Sequence, residues 1–85
     1  MKKITIYSGN PCPFCAAAKA LLKTKDVEIE EFDIWKDPAK AKEMLQKTNG
    51  ARTIPQIFIG DTYVGGNDQL QAANKDGKLD ELLKD

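Results

Sequence analysis

The sequence predicts a single α/β domain of order βαβ followed by αββα, in which a four-stranded mixed sheet carries helices on both faces. Three observations predict it. Two short strand-like runs enclose a helical stretch in the first third of the chain. Two more enclose Gly60-Asp61, the signal of a hairpin. Helix-start signals stand at Asp37-Pro38 and at Asn67, outside both units. At 85 residues the chain supports one domain, residues 1–85, and such a domain buries only about 60% of its unfolded surface.

Residues 3–7 alternate, with Ile4 and Ile6 on one face, and read as the first strand. Ser8, Gly9, Asn10 and Pro11 supply the turn out of it. Residues 13–24 are helical in character, with Phe14, Ala17, Ala18, Leu21 and Leu22 spaced as one buried stripe. The second strand covers residues 27–33, with Val27 and Ile29 inward and Glu28 and Glu30 outward. Its alternation slips before Phe32 and Ile34, which predicts a bulge or the strand's end. A strand-helix-strand unit of this kind places its strands parallel, joined by a right-handed crossover.

Asp37 as N-cap and Pro38 at the first helical position open a second helix. Ala41, Met44, Leu45 and Thr48 form its inward face, and Asn49-Gly50 provides a left-handed stop. Residues 56–59 and 62–64 then form an antiparallel hairpin. Asn67 caps a third helix through about residue 74, and beyond Asp76-Gly77 a last amphipathic turn or two sets Leu79, Leu82 and Leu83 against the body. This order is the thioredoxin-like arrangement.

Composition narrows the function classes. A hydrophobic content of 41% and the lack of low-complexity sequence describe a folded globule. Thirteen basic residues balance thirteen acidic ones, and no basic stripe is present, so nucleic acid is disfavoured as a partner. No apolar stretch approaches the length of a membrane span. The opening Met1-Lys2-Lys3-Ile4-Thr5-Ile6 is basic, but Thr5, Tyr7, Ser8, Gly9 and Asn10 break the apolar run a signal peptide needs. The expectation is a cytoplasmic protein without membrane association.

Chemistry concentrates in Cys12-Pro13-Phe14-Cys15, which holds the only two cysteines. In a reducing compartment such a pair is catalytic, redox-active or metal-binding rather than a structural staple. Pro13 suits the first helical position and places Cys12 at a helix N-terminus, with Cys15 one turn on and on the same side. Free N–H groups and the helix dipole favour a thiolate at Cys12, lowering its pKa from about 8.5 to between roughly 3.5 and 7.5. Cys15 is then the natural resolving thiol. The chain contains no histidine, which removes a Cys-His dyad and any Cys/His zinc site within one chain. Haem attachment is excluded too, because Ala16 follows Cys15 where histidine would be required. Thiol-disulfide exchange fits best, against the plainer alternative of two cysteines sharing a buried helix face.

Two further constellations admit two readings each. Thr53-Ile54-Pro55 precedes the hairpin, and Pro55 reads either as simple strand punctuation or as a cis-proline. In the second case Ile54 would have its N–H and C=O free to pair with an extended peptide. Gly65-Gly66-Asn67-Asp68 reads either as a hairpin exit with an ordinary N-cap or as a head-group site. There the glycines would admit a ligand to the backbone, the helix N–H groups would take a carboxylate, and Asp68 would hold an amine.

Cys-Pro-Phe-Cys followed by Ala18-Lys19-Ala20-Leu21-Leu22, then Arg52-Thr53-Ile54-Pro55-Gln56-Ile57-Phe58-Ile59-Gly60, then Val64-Gly65-Gly66-Asn67-Asp68, resembles a dithiol glutaredoxin over essentially the whole chain. The resemblance implies a thioredoxin-like fold and an oxidoreductase with glutathione as co-substrate. Protein disulfides and glutathionylated proteins would be its targets, with ribonucleotide reductase among the candidate protein partners. It also implies a cis Pro55, a monomer and no metal. By position, Cys12 would be the nucleophile and Cys15 the resolving thiol. Thr53 and Ile54 would pair with the glutathione backbone, with Phe14, Pro55 and Gly66 completing the binding surface. Asn67 and Asp68 would hold the γ-glutamyl end, and Arg52 and Lys42 are candidates for the glycyl carboxylate.

Departures from the family pattern are equally specific. Phe14 stands where tyrosine is usual, Gly9 where lysine is frequent, and Ala16 and Ala17 where basic residues are frequent. Asn67 and Gln69 depart from a common Cys-Asp-Asp run. With fewer cations nearby, Cys12 is expected to rely on the helix terminus and to titrate toward the upper end of its range. Two rival readings accompany this one. The first is a redoxin served by thioredoxin reductase that feeds ribonucleotide reductase. The second is an iron-sulfur carrier in which two chains each give Cys12 and glutathione thiols complete the ligation.

Overall fold

The computed structural model describes residues 2–84 and contains four strands and four helices. They are β1 (Ile4–Ser8), α1 (Pro13–Lys23), β2 (Ile29–Asp33), α2 (Pro38–Lys47), β3 (Gln56–Ile59), β4 (Thr62–Gly65), α3 (Asn67–Lys75) and α4 (Lys78–Leu83). The sheet order is β2-β1-β3-β4. β1 pairs parallel with β2 and antiparallel with β3, and β3 pairs antiparallel with β4. This is the mixed sheet expected of the thioredoxin-like arrangement.

Both faces of the central strands are covered, and that explains their sequences. On one face Ile4, Ile6, Ile57 and Ile59 pack against Ala18 and Leu22 of α1, Leu70 and Ala73 of α3, and Leu79 and Leu83 of α4. On the other, Tyr7 and Phe58 pack against Met44 of α2, with Phe32, Ile34 and Ile54 at the margin. A strand buried on both sides reads as a continuous apolar run, as Ile57-Phe58-Ile59 does.

The same arrangement accounts for the apparent slip in β2. Its register with β1 runs unbroken from Ile4 opposite Ile29 to Ser8 opposite Asp33. Phe32 lies opposite Tyr7 and joins the α2 side, whereas Ile29 joins the other side. No bulge is needed in β2, because its two faces serve two clusters. The irregularity falls instead between β3 and β4, where the register shifts between Ile57 and Phe58.

The helix signals hold at α2. Asp37 Oδ1 accepts from the N–H groups of Ala39 and Lys40 at 3.1 and 3.3 Å, and Pro38 fills the first helical position. Asn49 and Gly50 then take positive φ values of 59° and 101°, and the Gly50 N–H donates to Leu45 O at 2.8 Å. Two expectations need correction. In α1 the fully buried residues are Cys15, Ala18 and Leu22, whereas Phe14 is 64% exposed and Ala17 is exposed. Phe14, Ala17 and Leu21 share the same spacing as the true stripe, so periodicity alone could not separate the two sets. At α3 the cap is Gly66, with Asn67 already the first helical residue. Gln69 Oε1 reaches back to accept from the Gly66 N–H at 2.9 Å, the carboxamide half of a capping box.

Candidate redox site

Cys12 and Cys15 are joined by a disulfide, with their Cα atoms 5.2 Å apart. Cys12 is the N-cap of α1. Its Sγ accepts from the Cys15 N–H at 3.1 Å, and its carbonyl accepts from the Ala16 N–H at 3.0 Å. The sulfur thus takes the place of a capping oxygen, beside the positive end of the helix. Exposure separates the two cysteines. Cys12 is half-buried, whereas Cys15 is 1% exposed and part of the core side of α1. An external thiol or disulfide can therefore reach Cys12 but not Cys15.

The loop that carries Cys12 is fixed from several sides. Ser8 is buried at the end of β1, and its Oγ donates to Glu31 Oε2 at 2.5 Å; Lys19 of α1 donates to the same oxygen at 2.8 Å. These contacts, Lys19 foremost, hold Glu31 below its ordinary carboxylate value. They tie the middle of α1 to the end of β1 and the middle of β2. Gly9 lies under Trp35: a Cβ at this position would come within 2.5 Å of the indole. Asn10-Pro11 is cis, as is Ile54-Pro55.

Beside the cysteine helix lies a cleft of about 250 Å³ lined by Phe14, Thr53, Ile54, Pro55, Gly66, Asn67, Asp68 and Gln69. Phe14 sits between the two cysteines in sequence and is the residue by which the Cys12-Cys15 turn meets the cleft. Among the described residues, the N–H groups of Asn67, Asp68 and Gln69 have no hydrogen-bond partner within the chain. Neither do the N–H and C=O of Ile54. The cleft therefore offers the free backbone donors at the start of α3, the free N–H and C=O of Ile54, and one carboxylate, Asp68.

The structure gathers most of the sequence-derived binding residues here but not all. Phe14, Thr53, Ile54, Pro55, Gly66, Asn67 and Asp68 line the cleft; Lys42 and Arg52 are exposed and do not. Gln69 lines it and was missed, because with the cap expected at Asn67 it does not fall at the third helical position that it takes after Gly66. Among the described residues, no cluster of three or more His, Cys, Asp or Glu side chains could hold a metal ion. No helix among them is long and apolar enough to cross a membrane.

Comparison with known proteins agrees with this geometry. Residues 4–64 match the glutaredoxin family model. The chain is 45% identical over 84 residues to glutaredoxin 3 of Escherichia coli, covering 99% of this chain and 100% of that protein. It superposes on the solution structure of a Brucella melitensis glutaredoxin with a TM-score of 0.83 at 46% identity, covering 99% and 90% of the two chains. A buckwheat glutaredoxin solved as a complex with glutathione is 28% identical, with a TM-score of 0.83 over 94% of this chain and 74% of that one.

Proposed function

We propose, starting from the fact that this chain belongs to the glutaredoxin family and carries its Cys-x-x-Cys dithiol, that it is an oxidoreductase whose electron donor is glutathione. The observation that carries the proposal is the cleft beside Phe14. Its free α3 N–H groups suit a carboxylate, Asp68 suits the neighbouring ammonium, and the free Ile54 backbone suits a peptide laid out as an added strand. Glutathione presents all three groups. The glutathione complex of the buckwheat relative supports the choice of ligand.

On this reading the reduced Cys12 thiolate attacks the glutathione sulfur of a mixed disulfide. The S–S bond breaks, the target leaves as a thiolate and takes up a proton, and Cys12 holds glutathione as a new mixed disulfide. The thiolate of a second glutathione then attacks that glutathione sulfur, forming glutathione disulfide and releasing Cys12. With a protein disulfide, Cys12 first forms a mixed disulfide to the protein. Cys15 attacks Cys12 to close the internal disulfide and release the reduced protein. Two glutathiones reopen the pair. Burial of Cys15 and exposure of Cys12 support this order of attack.

The test is a glutathione-coupled assay on a small mixed disulfide. Turnover should saturate with glutathione, and Asp68→Asn should raise KM about fivefold, the effect of losing one exposed charge contact of about 1 kcal/mol. Turnover without glutathione saturation would refute the assignment.

A further inference from the structure

Gln56 stands where the cleft wall joins the sheet. It is the first residue of β3, opposite Tyr7, and only 3% exposed. A buried carboxamide must find partners for its donors and acceptor, and this one does so at two places. Its Nε2 donates to the Thr53 carbonyl at 2.9 Å and to Thr53 Oγ1 at 3.2 Å. Its Oε1 accepts from the Tyr63 hydroxyl, on the neighbouring strand β4. Tyr63 is held in turn by its ring, which stacks on Phe58 with centroids 5.0 Å apart.

The Thr53 carbonyl belongs to the peptide plane that also carries the Ile54 N–H. That peptide is trans, so the two groups point in opposite directions. Gripping the carbonyl from the Gln56 side turns the Ile54 N–H to the other side. Both residues line the cleft, and the Ile54 N–H has no partner among the described residues. We propose that Gln56, locked by Tyr63, is a positioning residue that fixes the Thr53-Ile54 peptide plane and so aims the Ile54 N–H at the ligand. Neither side chain touches the cysteines in this scheme. The inference rests on the reading of the cleft as a glutathione site.

The pair Gln56→Met and Tyr63→Phe tests it. Gln56→Met keeps length and removes both hydrogen-bonding functions; Tyr63→Phe keeps the ring on Phe58 and removes the hydroxyl alone. Glutathione KM and kcat are measured on a small mixed disulfide, beside the rate at which iodoacetamide alkylates reduced Cys12. Gln56→Met should raise KM about tenfold, as expected when a buried hydrogen-bonding group is removed, with kcat and alkylation unchanged. Tyr63→Phe should raise it about threefold with the same pattern. Unchanged KM in both variants overturns the proposal, and so does a rise in KM accompanied by a fall in kcat and a changed alkylation rate, which would mark general structural damage. If Gln56→Met does not fold, Tyr63→Phe decides by the same criteria. Wild-type turnover that does not saturate with glutathione overturns the glutathione reading itself, and this inference with it. Saturation in wild type with unchanged variants overturns the inference alone.

Discussion

A methyl group added at Gly9 would meet three indole carbons of Trp35 at 2.5–2.7 Å, well inside contact distance. Gly9 has no left-handed φ, so its requirement is steric rather than conformational. Trp35 is held over it by the turn after β2, where its N–H donates to Asp33 Oδ1 at 2.9 Å. Gly9→Ala should therefore destabilise the protein by about 1–3 kcal/mol, the usual cost of overpacking. Trp35→Ala should remove most of that cost, a coupling that thermal unfolding of the single and double variants would measure. A lysine at this position would meet the same indole. With neither that cation nor basic residues at Ala16 and Ala17, the reduced Cys12 thiol should titrate above pH 5, which thiolate absorbance against pH would show. A lower midpoint would mean that a source of positive potential other than the helix terminus dominates.

At the scale of elements, the two faces of the sheet are held differently. α1, α3 and α4 use aliphatic packing, whereas α2 adds polar contacts around Tyr7 and Phe58. The Tyr7 hydroxyl donates to Glu43 at 2.5 Å, and Lys40 and Lys47 lie 4.0 and 4.9 Å from the Phe32 and Phe58 ring centroids. Tyr7 holds Glu43 below the ordinary carboxylate value of 4.5, with Lys40 assisting, while burial first and Glu43 second push Tyr7 upward. A carboxylate lowered on folding contributes its stability above the unfolded value, and that contribution is lost as pH falls through the folded one. Thermal stability should thus begin to fall below about pH 4.5, and Glu43→Gln should lessen the fall. Tyr7→Phe should cost about 1 kcal/mol at neutral pH and flatten the same acid limb. An acid limb identical in all three proteins would contradict this role for the pair.

Element order and type were legible because their signals are local: Asp37-Pro38 starts a helix, Gly60-Asp61 turns a hairpin, and Asn49-Gly50 accepts positive φ. What was not legible depended on a neighbour. The slip in β2 is resolved only by knowing that α2 covers its second face, and the choice between the Phe14 and Cys15 stripes only by knowing where the core lies. The cap at α3 passed from Asn67 to Gly66 because Gln69 folds back onto it.

Across the whole molecule, the fold joins three separate stretches of sequence into one site: the N-terminus of α1 and the segments before and after the β3-β4 hairpin. All the residues that line the cleft except Gln69 were recognisable from their motifs, but Gln56, Tyr63 and Trp35 were not, since their contacts cross between elements. The central claim is that the two cysteines differ in role because only Cys12 is accessible. It is tested most directly by assaying Cys15→Ser beside wild type, with glutathione as reductant, on a glutathionylated target and on a protein disulfide. The account predicts that Cys15→Ser keeps activity on the first and loses it on the second. Loss of both activities, or retention of both, would contradict it.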